Sequence, residues 1–307
     1  MIYSRYLDVS PGIARALKYS EPVVAIESGV LTQGLPFPES VEYAHDLEEI
    51  IRKEGSTPAV VGIINGKIRV GLSPDELRNI AHTPYSRKIS RQDIPSVVAL
   101  KHSGATTVGA TMVIAQMAGI KIVLSGGIGA VHVSASGGLD MSADLDEFER
   151  TDVAVICSGA KFSSDMNMTL EYLETKGVPV IGYMTDEFPS FLSRSSGCFL
   201  EHSAFTPYDA ACITKTKWDL GIRGGLLIVN PVPEEHSIPL DIMKQYIDQA
   251  RNEAQQNGIR GKQITPYVMK RITELTGGAS LKAGSALLES NAAAASRIAR
   301  ELSRLYT

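Results

Sequence analysis

The hydrophobic pattern alternates along most of the chain between short apolar runs and longer segments with a helical period. The runs are rich in β-branched residues and are continuous rather than alternating, which is typical of strands buried on both faces of a parallel sheet. The intervening segments repeat apolar positions as amphipathic helices do. The pattern predicts strands at residues 22–26, 58–64, 121–124, 153–156, 179–183 and 225–229, and helices at residues 40–54, 107–118, 169–176 and 208–220.

The order of these elements predicts the fold class. Alternating strands and helices imply right-handed crossovers and a mostly parallel sheet covered on both sides. Asn65-Gly66, between two apolar runs, predicts a hairpin and therefore some antiparallel pairing. No linker, repeat or break in composition divides the chain. We predict one α/β domain over residues 1–307, with three α/β/α layers, a mostly parallel mixed central sheet and a helical C-terminal region at residues 239–257, 265–275 and 280–306.

Composition narrows the classes of partner. The 307 residues are 44% hydrophobic and 21% charged, as in ordinary globular proteins, and the formal net charge is −4. Basic residues are scattered, so we expect a small polar substrate rather than a nucleic acid or a membrane. Three cysteines without metal spacing fit a reducing compartment, and with neither a long apolar segment nor a secretion signal in the sequence we expect a cytoplasmic protein.

Lys161 follows the apolar run 153–156 and three small residues, Ser158, Gly159 and Ala160. A lysine in an α/β protein usually lies on an outer helix with its ammonium in water. This lysine follows a predicted buried strand, at the edge where such sheets bind ligands. There an amine can become a nucleophile towards carbonyl carbon, so Schiff-base chemistry is the second interpretation.

Glu27 comes directly after the first predicted strand, and a Gly- and Pro-rich loop is expected at residues 28–38. The carboxylate is either an edge residue paired with a surface arginine or a general acid or base whose pKa is raised by burial. The segment 125–132 contains three closely spaced glycines, which let backbone approach a ligand, but it matches a dinucleotide fingerprint poorly. His132 at its end is either structural or part of a site.

Two segments have the composition of helix N-termini. Ser142 is a candidate N-cap with Asp144 in the first turn, and Asp140 just before it has an oxygen for a hard cation. The start of that helix can also bind a phosphate, and Thr106 and Thr107 are either ordinary caps or part of a second possible phosphate site.

Lys88 lies in the basic segment 87–93, which is either a solvated face or a phosphate clamp.

Linked motifs in one order resemble those of the pseudouridine-5′-phosphate glycosidase family, also called the indigoidine-synthase-A-like family, from about residue 10 to the C-terminus. They are Val24-Ala-Ile-Glu-Ser28 with Gly34-Leu-Pro-Phe-Pro38, Gly104-Ala-Thr-Thr-Val108, Gly126-Gly-Ile-Gly129 with Val131-His132, Asp140-Met-Ser-Ala-Asp144, Ser158-Gly-Ala-Lys161, Leu170-Glu-Tyr-Leu-Glu174 and Leu275-Thr-Gly-Gly278.

The resemblance implies an enzyme, pseudouridylate synthase or pseudouridine-5′-phosphate glycosidase. Its reversible reaction converts pseudouridine 5′-phosphate and water into uracil and ribose 5-phosphate. The resemblance also implies a divalent metal, usually Mn²⁺, and a homotrimer of α/β/α subunits.

Site residues follow from the same resemblance. Lys161 matches the covalent nucleophile, Glu27 the proton donor and Asp140 the metal ligand. The positions that match substrate contacts, or a histidine near the site, are Lys88, Val108, Ser142, Ala143, Asp144 and His132. The bond cleaved is carbon–carbon, so protonating a leaving heteroatom is not available, and a lysine imine supplies an electron sink instead.

Several positions depart from the family pattern. They are Gly29, Ala130, Phe162 with the serines after it, and Gly284, where members have asparagine. Two alternatives therefore stand beside the glycosidase: a Schiff-base lyase or aldolase acting on another phosphorylated sugar, and a catalytically weak relative that binds a nucleotide or sugar phosphate.

Overall fold

A computed structural model describes residues 5–34, 39–82, 87–133, 139–161, 166–259 and 263–307. Its strands are β1 Leu7–Val9, β2 Val23–Glu27, β3 Thr57–Ile64, β4 Lys67–Val70, β5 Arg87–Ile89, β6 Gly104–Thr106, β7 Ile122–Leu124, β8 Val131–Val133, β9 Leu139–Met141, β10 Ala154–Cys157, β11 Val180–Tyr183, β12 Ser203–Ala204 and β13 Leu226–Val229.

The helices lie between and after these strands. They are α1 Pro11–Lys18, α2 Ser28–Gly34, α3 Glu39–Lys53, α4 Pro74–His82, α5 Ile94–Ala99, α6 Val108–Ala118, α7 Ala143–Arg150, α8 Met166–Thr175, α9 Pro207–Asp219, α10 Leu240–Gln256, α11 Ile264–Leu275 and α12 Ala279–Tyr306. In the ranges described, no helix is long and apolar enough to cross a membrane.

The central sheet is mixed and mostly parallel, as predicted. Its main path runs β1-β4-β3-β2-β7-β10-β13-β11-β12. Every described pairing from β3 through β2 to β12 is parallel, whereas β4 pairs antiparallel with β3. The turn between β3 and β4 has φ of 49° at Asn65 and 76° at Gly66, the two positive angles that a tight hairpin turn requires.

Helices cover both faces of the sheet, and the strands bury side chains on each. On β2, Val24 and Ile26 belong to one apolar core with α3, α9 and the C-terminal helices. Val23 and Ala25 belong to a second core with α1, α6, α7 and α8. Side chains of a strand alternate between faces, so a strand covered on both sides becomes uniformly apolar. The three α/β/α layers and the helical C-terminal region are confirmed.

The predicted loop after Glu27 is wrong in its first part, because residues Ser28–Gly34 form helix α2. The Ser28 hydroxyl accepts a hydrogen bond from the Thr106 amide at 2.9 Å, and this contact fixes the start of α2. Two glycines in seven residues hid the helix, since glycine weakens the helical pattern. Residues 35–38 of the predicted loop lie outside the described residues.

Strand β6 was not expected, and it continues the sheet beyond the carboxyl end of β2. Residues 57–61 of β3 pair with β2, and Gly62 and Ile63 then pair with β6. Strand β6 therefore takes the place of β2 just beyond Glu27. Thr106 belongs to this strand, and Thr107 alone acts as the N-cap of α6, accepting from the Ala110 amide.

Candidate active site

Glu27 and Lys161 meet at the carboxyl edge of the sheet. Strands β2 and β10 flank β7 in parallel, so their carboxyl ends lie at the same edge. Lys161 Nζ lies 3.8 Å from Glu27 Oε2, and the two side chains are 18% and 4% exposed. An amine and a carboxyl group thus lie close together in surroundings largely shielded from water.

The environment of Glu27 suits a proton donor. Burial raises the pKa of its carboxyl group and is the largest influence on it. The charge of Lys161 and a hydrogen bond from Ser125 oppose that rise. Ser125 Oγ donates to Glu27 Oε2 at 2.5 Å, which also fixes the orientation of the carboxyl group. A raised pKa keeps the proton on Glu27 at pH values where an ordinary glutamate has lost it.

The loops after β7 and β10 hold Lys161 in place. The Ile128 amide donates to the Gly159 carbonyl at 2.9 Å, and the Lys161 amide donates to the Ile128 carbonyl at 2.8 Å. Gly127 packs against the lysine stem. An added Cβ there would lie 2.9 Å from Phe191 Cδ2 and 3.1 Å from Lys161 Cγ. Glycine is therefore required at this position for the lysine stem to pack against the backbone.

Lys88, on β5, lies near enough to Glu27 to influence its carboxyl group. It is the register partner of Ala105 on β6, the strand that continues the sheet beyond Glu27. Burial dominates the raised pKa of Glu27, and Lys88 is one of the two lysines whose charges oppose it. The structure therefore places this predicted phosphate contact close enough to Glu27 for its charge to act on the carboxyl group.

The start of α7 carries three predicted substrate contacts. Ser142 is its N-cap and accepts from the Asp144 amide at 3.3 Å, as the sequence predicted, and Ala143 is the first helical residue. Asp144 accepts from the Gly109 amide at 2.9 Å and from the Gly129 amide at 3.1 Å. Its carboxylate thus joins α7 to the start of α6 and to the glycine-rich loop.

Val108, the remaining predicted contact in this region, is the first residue of α6 and is buried. It lies next to the Thr107 cap and the Gly109 amide that Asp144 binds. The backbone around Val108 is therefore at the helix end that faces Asp144.

His132 and Asp140 form a separate group on the hairpin of β8 and β9, where they are register partners. Arg251 of α10 donates from Nη1 to His132 Nδ1 at 2.8 Å, so the ring proton is on Nε2. Burial and the charge of Arg251 lower the pKa of His132 to about 4, which keeps the ring neutral. In the described ranges neither residue is hydrogen-bonded or ion-paired to Glu27 or Lys161.

A divalent cation would find one carboxylate ligand here. Within the described part of the chain, no three His, Cys, Asp or Glu side chains gather into a ligand group. Asp140 is exposed and lies opposite the neutral ring of His132. Hard cations are often held by one or two carboxylates, with water and substrate phosphate completing the shell. These residues fit a largely hydrated ion of that kind.

The departures from the family pattern have different surroundings. An added Cβ at Gly29 would lie 2.6 Å from the Thr106 carbonyl oxygen, so the close approach of α2 to β6 requires glycine in this chain. Gly284 has no atom within 4 Å of an added Cβ and lines an apolar cavity of about 40 Å³ with Val30, Gly126 and Phe191. Phe162 lies outside the described residues.

Two contributors to the site were missed in the sequence. Ser125 was only part of a glycine-rich motif, yet it binds Glu27. Asn291 is buried in the middle of α12 and binds the loops after β7 and β10. Its signal was an asparagine followed by four alanines in a predicted helix, because an asparagine buried among small apolar residues requires a hydrogen-bond partner.

Comparison with known proteins decides the family. The model of the family described as indigoidine synthase A like protein matches residues 12–301. The chain belongs to this family. It is 46% identical over 303 residues to the pseudouridine-5′-phosphate glycosidase of Caldanaerobacter subterraneus, covering 99% of each chain. It is 48% identical over 297 residues to that of Solibacter usitatus, covering 97% of this chain and 99% of the relative.

Solved structures of the family have the same fold. The prealnumycin C-glycosynthase AlnA in complex with ribulose 5-phosphate superposes with a TM-score of 0.90 at 37% identity, covering 99% of both chains. An indigoidine synthase A like protein from Thermotoga maritima superposes with a TM-score of 0.88 at 34% identity, covering 97% of both chains. The proteins to which this chain is similar therefore include ones named as a glycosidase and one named as a C-glycosynthase.

Proposed function

We propose that this protein reversibly cleaves the C-glycosidic bond of pseudouridine 5′-phosphate to give uracil and ribose 5-phosphate. The observation that carries the proposal is the 3.8 Å approach of Lys161 Nζ to the buried Glu27 carboxyl group. Relatives that match nearly the full length of the chain are named for this activity. A C-glycosynthase of the same fold in complex with a pentose phosphate supports a sugar phosphate as one reactant.

Lys161 is the nucleophile in this proposal. Glu27 gives a proton to the ribose ring oxygen, the bond from that oxygen to the anomeric carbon breaks, and Lys161 Nζ bonds to that carbon. Nζ then loses a proton to Glu27, and its lone pair forms the imine as the bond from the anomeric carbon to uracil breaks. The electron pair of that bond remains on uracil, which takes the proton back from Glu27. Water adds to the imine and releases ribose 5-phosphate and Lys161.

The phosphate is an unreactive handle that orients the sugar. Lys88 supplies charge near the reacting pair, and the start of α7 supplies Ser142 and the Ala143 amide. A divalent ion at Asp140, with Mn²⁺ as the candidate, would add positive charge beside that phosphate. The neutral His132 would donate from Nε2 to a polar atom of the substrate.

The test combines product release with trapping. Uracil release from pseudouridine 5′-phosphate is followed by ultraviolet absorbance with and without Mn²⁺, and the reverse reaction is followed from uracil and ribose 5-phosphate. Borohydride reduction with ribose 5-phosphate should attach the sugar to the peptide that contains Lys161. Lys161→Ala should abolish turnover and labelling, whereas Lys176→Ala, which removes a surface lysine ion-paired to Asp146 and Glu149, should leave both unchanged.

Glu27→Gln keeps the shape of the acid and removes its proton, so turnover should fall about 10²–10⁴-fold. A label on another lysine, or none, would refute the covalent role of Lys161. A lysine adduct without uracil release would favour the lyase or aldolase alternative. Ligand-dependent thermal stabilisation without turnover would favour the binding alternative.

A further inference from the structure

A connected set of buried polar side chains binds the loops after β7 and β10, and Asn291 of α12 is its centre. Asn291 is fully buried. Its Nδ2 donates to the Ser125 carbonyl at 3.2 Å and to Ser158 Oγ at 3.0 Å. Its Oδ1 accepts from Asn230 Nδ2 at 2.9 Å. One side chain therefore joins the residues that follow β7, β10 and β13.

The amide of Asn291 has a partner for each of its groups in this arrangement. Removing it would leave the Ser125 carbonyl without this donor and Asn230 Nδ2 without one of its two acceptors, and a buried polar group that loses a partner destabilises the folded state. An apolar side chain could fill the same space, but it could not fix the strand ends relative to one another. The polar side chain therefore determines the spacing of these loops.

Both reacting groups depend on loops that Asn291 holds. Ser125, whose main chain it binds, donates its hydroxyl to Glu27 at 2.5 Å. Ser158, whose side chain it binds, lies three residues before Lys161. The Ser158 amide also donates to the Gly126 carbonyl at 2.9 Å, so the two loops are joined to each other as well as to Asn291.

We propose that Asn291 is a positioning residue, which holds the main chain of Ser125 so that the serine hydroxyl meets Glu27 and the acid stays aligned with Lys161. The catalytic consequence rests on the proposed function. The structural part concerns only the hydrogen bond between Ser125 and Glu27, and it can be measured without turnover.

The groups that face Glu27 allow two roles of Asn291 to be distinguished by the direction in which the pKa of Glu27 changes. Besides Ser125 they are Lys161, Lys88, Asp144 and the buried thiol of Cys157. Loss of packing at position 291 by itself would admit water and lower the pKa of Glu27, because burial is the main reason that it is raised. Loss of the Ser125 hydrogen bond would raise it further. A purely structural role and a positioning role therefore predict opposite shifts.

The experiment is a carboxyl titration by ¹³C NMR in protein with labelled glutamate, with the Glu27 signal assigned by Glu27→Gln. Ser125→Ala and Asn291→Ala should each move the Glu27 midpoint up by about one pH unit, the effect of losing one hydrogen bond to a charged group. Ser125→Thr, which keeps the hydroxyl, should leave the Glu27 midpoint at its wild-type value. The double variant of Ser125→Ala and Asn291→Ala should shift no further than Ser125→Ala alone.

Ser290→Ala is the matched control, because Ser290 is next to Asn291 on α12 and accepts from Asn230, but has no described contact with Ser125 or Ser158. It should leave the midpoint unchanged. In turnover, Asn291→Ala should lower kcat about tenfold with KM nearly unchanged, and the basic limb of the pH profile should move to higher pH.

An unchanged or lowered midpoint in folded Asn291→Ala, or additive shifts in the double variant, would overturn the proposal. If Asn291→Ala does not fold, Asn291→Ser leaves a smaller hole and is too short to reach the Ser125 carbonyl, so it should give the same upward shift. If the wild-type protein releases no uracil and forms no adduct, the proposed function fails while the titration still decides the role of Asn291.

Discussion

The ion pair between Arg91 and Glu147 gives a prediction that can be worked through in detail. Arg91 lies in the turn after β5, the strand of Lys88, and Glu147 lies in α7, the helix that Ser142 caps. Arg91 Nη1 donates to both carboxylate oxygens of Glu147, at 2.6 and 2.8 Å. The pair therefore joins the two elements predicted to hold the phosphate.

Arg91→Ala leaves the Glu147 carboxylate buried without this partner. Breaking a buried ion pair from one side typically costs about 3–5 kcal/mol. Glu147 is 0% exposed, but the Arg91 side chain is 47% exposed, so solvent already screens part of the attraction. We expect the free energy of unfolding in urea to fall by about 2 kcal/mol at neutral pH.

The loss of stability in Arg91→Ala should be larger at high pH than at low pH. Burial raises the pKa of Glu147, and Arg91 opposes that rise, so removing Arg91 raises the pKa further. A carboxyl group with a raised pKa in the folded state stabilises that state when protonated, and this stability is lost as pH rises from the unfolded pKa through the folded pKa. The difference from wild type should therefore be smaller at about pH 5 than at about pH 8.

Two variants serve as controls for Arg91→Ala. Arg78→Ala removes a pair whose side chains are 52% and 86% exposed, and it should cost less than about 0.5 kcal/mol. Adding Glu147→Gln to Arg91→Ala removes the unpaired charge and should recover part of the loss at about pH 8. An equal loss at both pH values, or a double variant no more stable than Arg91→Ala, would show that the buried charge is not the cause.

Two further predictions concern stability. Gly284→Ala should raise the free energy of unfolding by about 0.5–1 kcal/mol, because alanine favours an interior helix position and the added Cβ meets no atom within 4 Å; a lower value would mean that the cavity beside it closes in solution. Lys217→Met should lower it by about 3 kcal/mol, because Lys217 Nζ donates to the carbonyls of Ile222, Arg223 and Gly224 at 3.0, 2.7 and 2.8 Å. Lys215→Met, which removes a surface pair with Asp219, is the control and should have little effect.

Local patterns in the sequence predicted the strands and helices that build the sheet. The apolar runs became β2, β3, β7, β10, β11 and β13, and Ser142 and Thr107 became helix caps, because each of these features depends on residues within a few positions. Helix α2 was missed, since its hydrogen bond to Thr106 comes from a residue far along the chain. The roles proposed for Glu27 and Lys161 came from resemblance rather than from spacing.

What the sequence by itself determined is the α/β class, the position of the reactive residue types at strand ends, and membership of the family. Only the tertiary structure decided that β2 and β10 flank β7, which brings Glu27 to Lys161. It also decided that α12 packs against both loops, so that Asn291 meets Ser125 across 166 positions of sequence. The physical reason is range: helical and strand periodicity arise from neighbouring residues, whereas strand order and buried hydrogen bonds depend on how distant segments pack together.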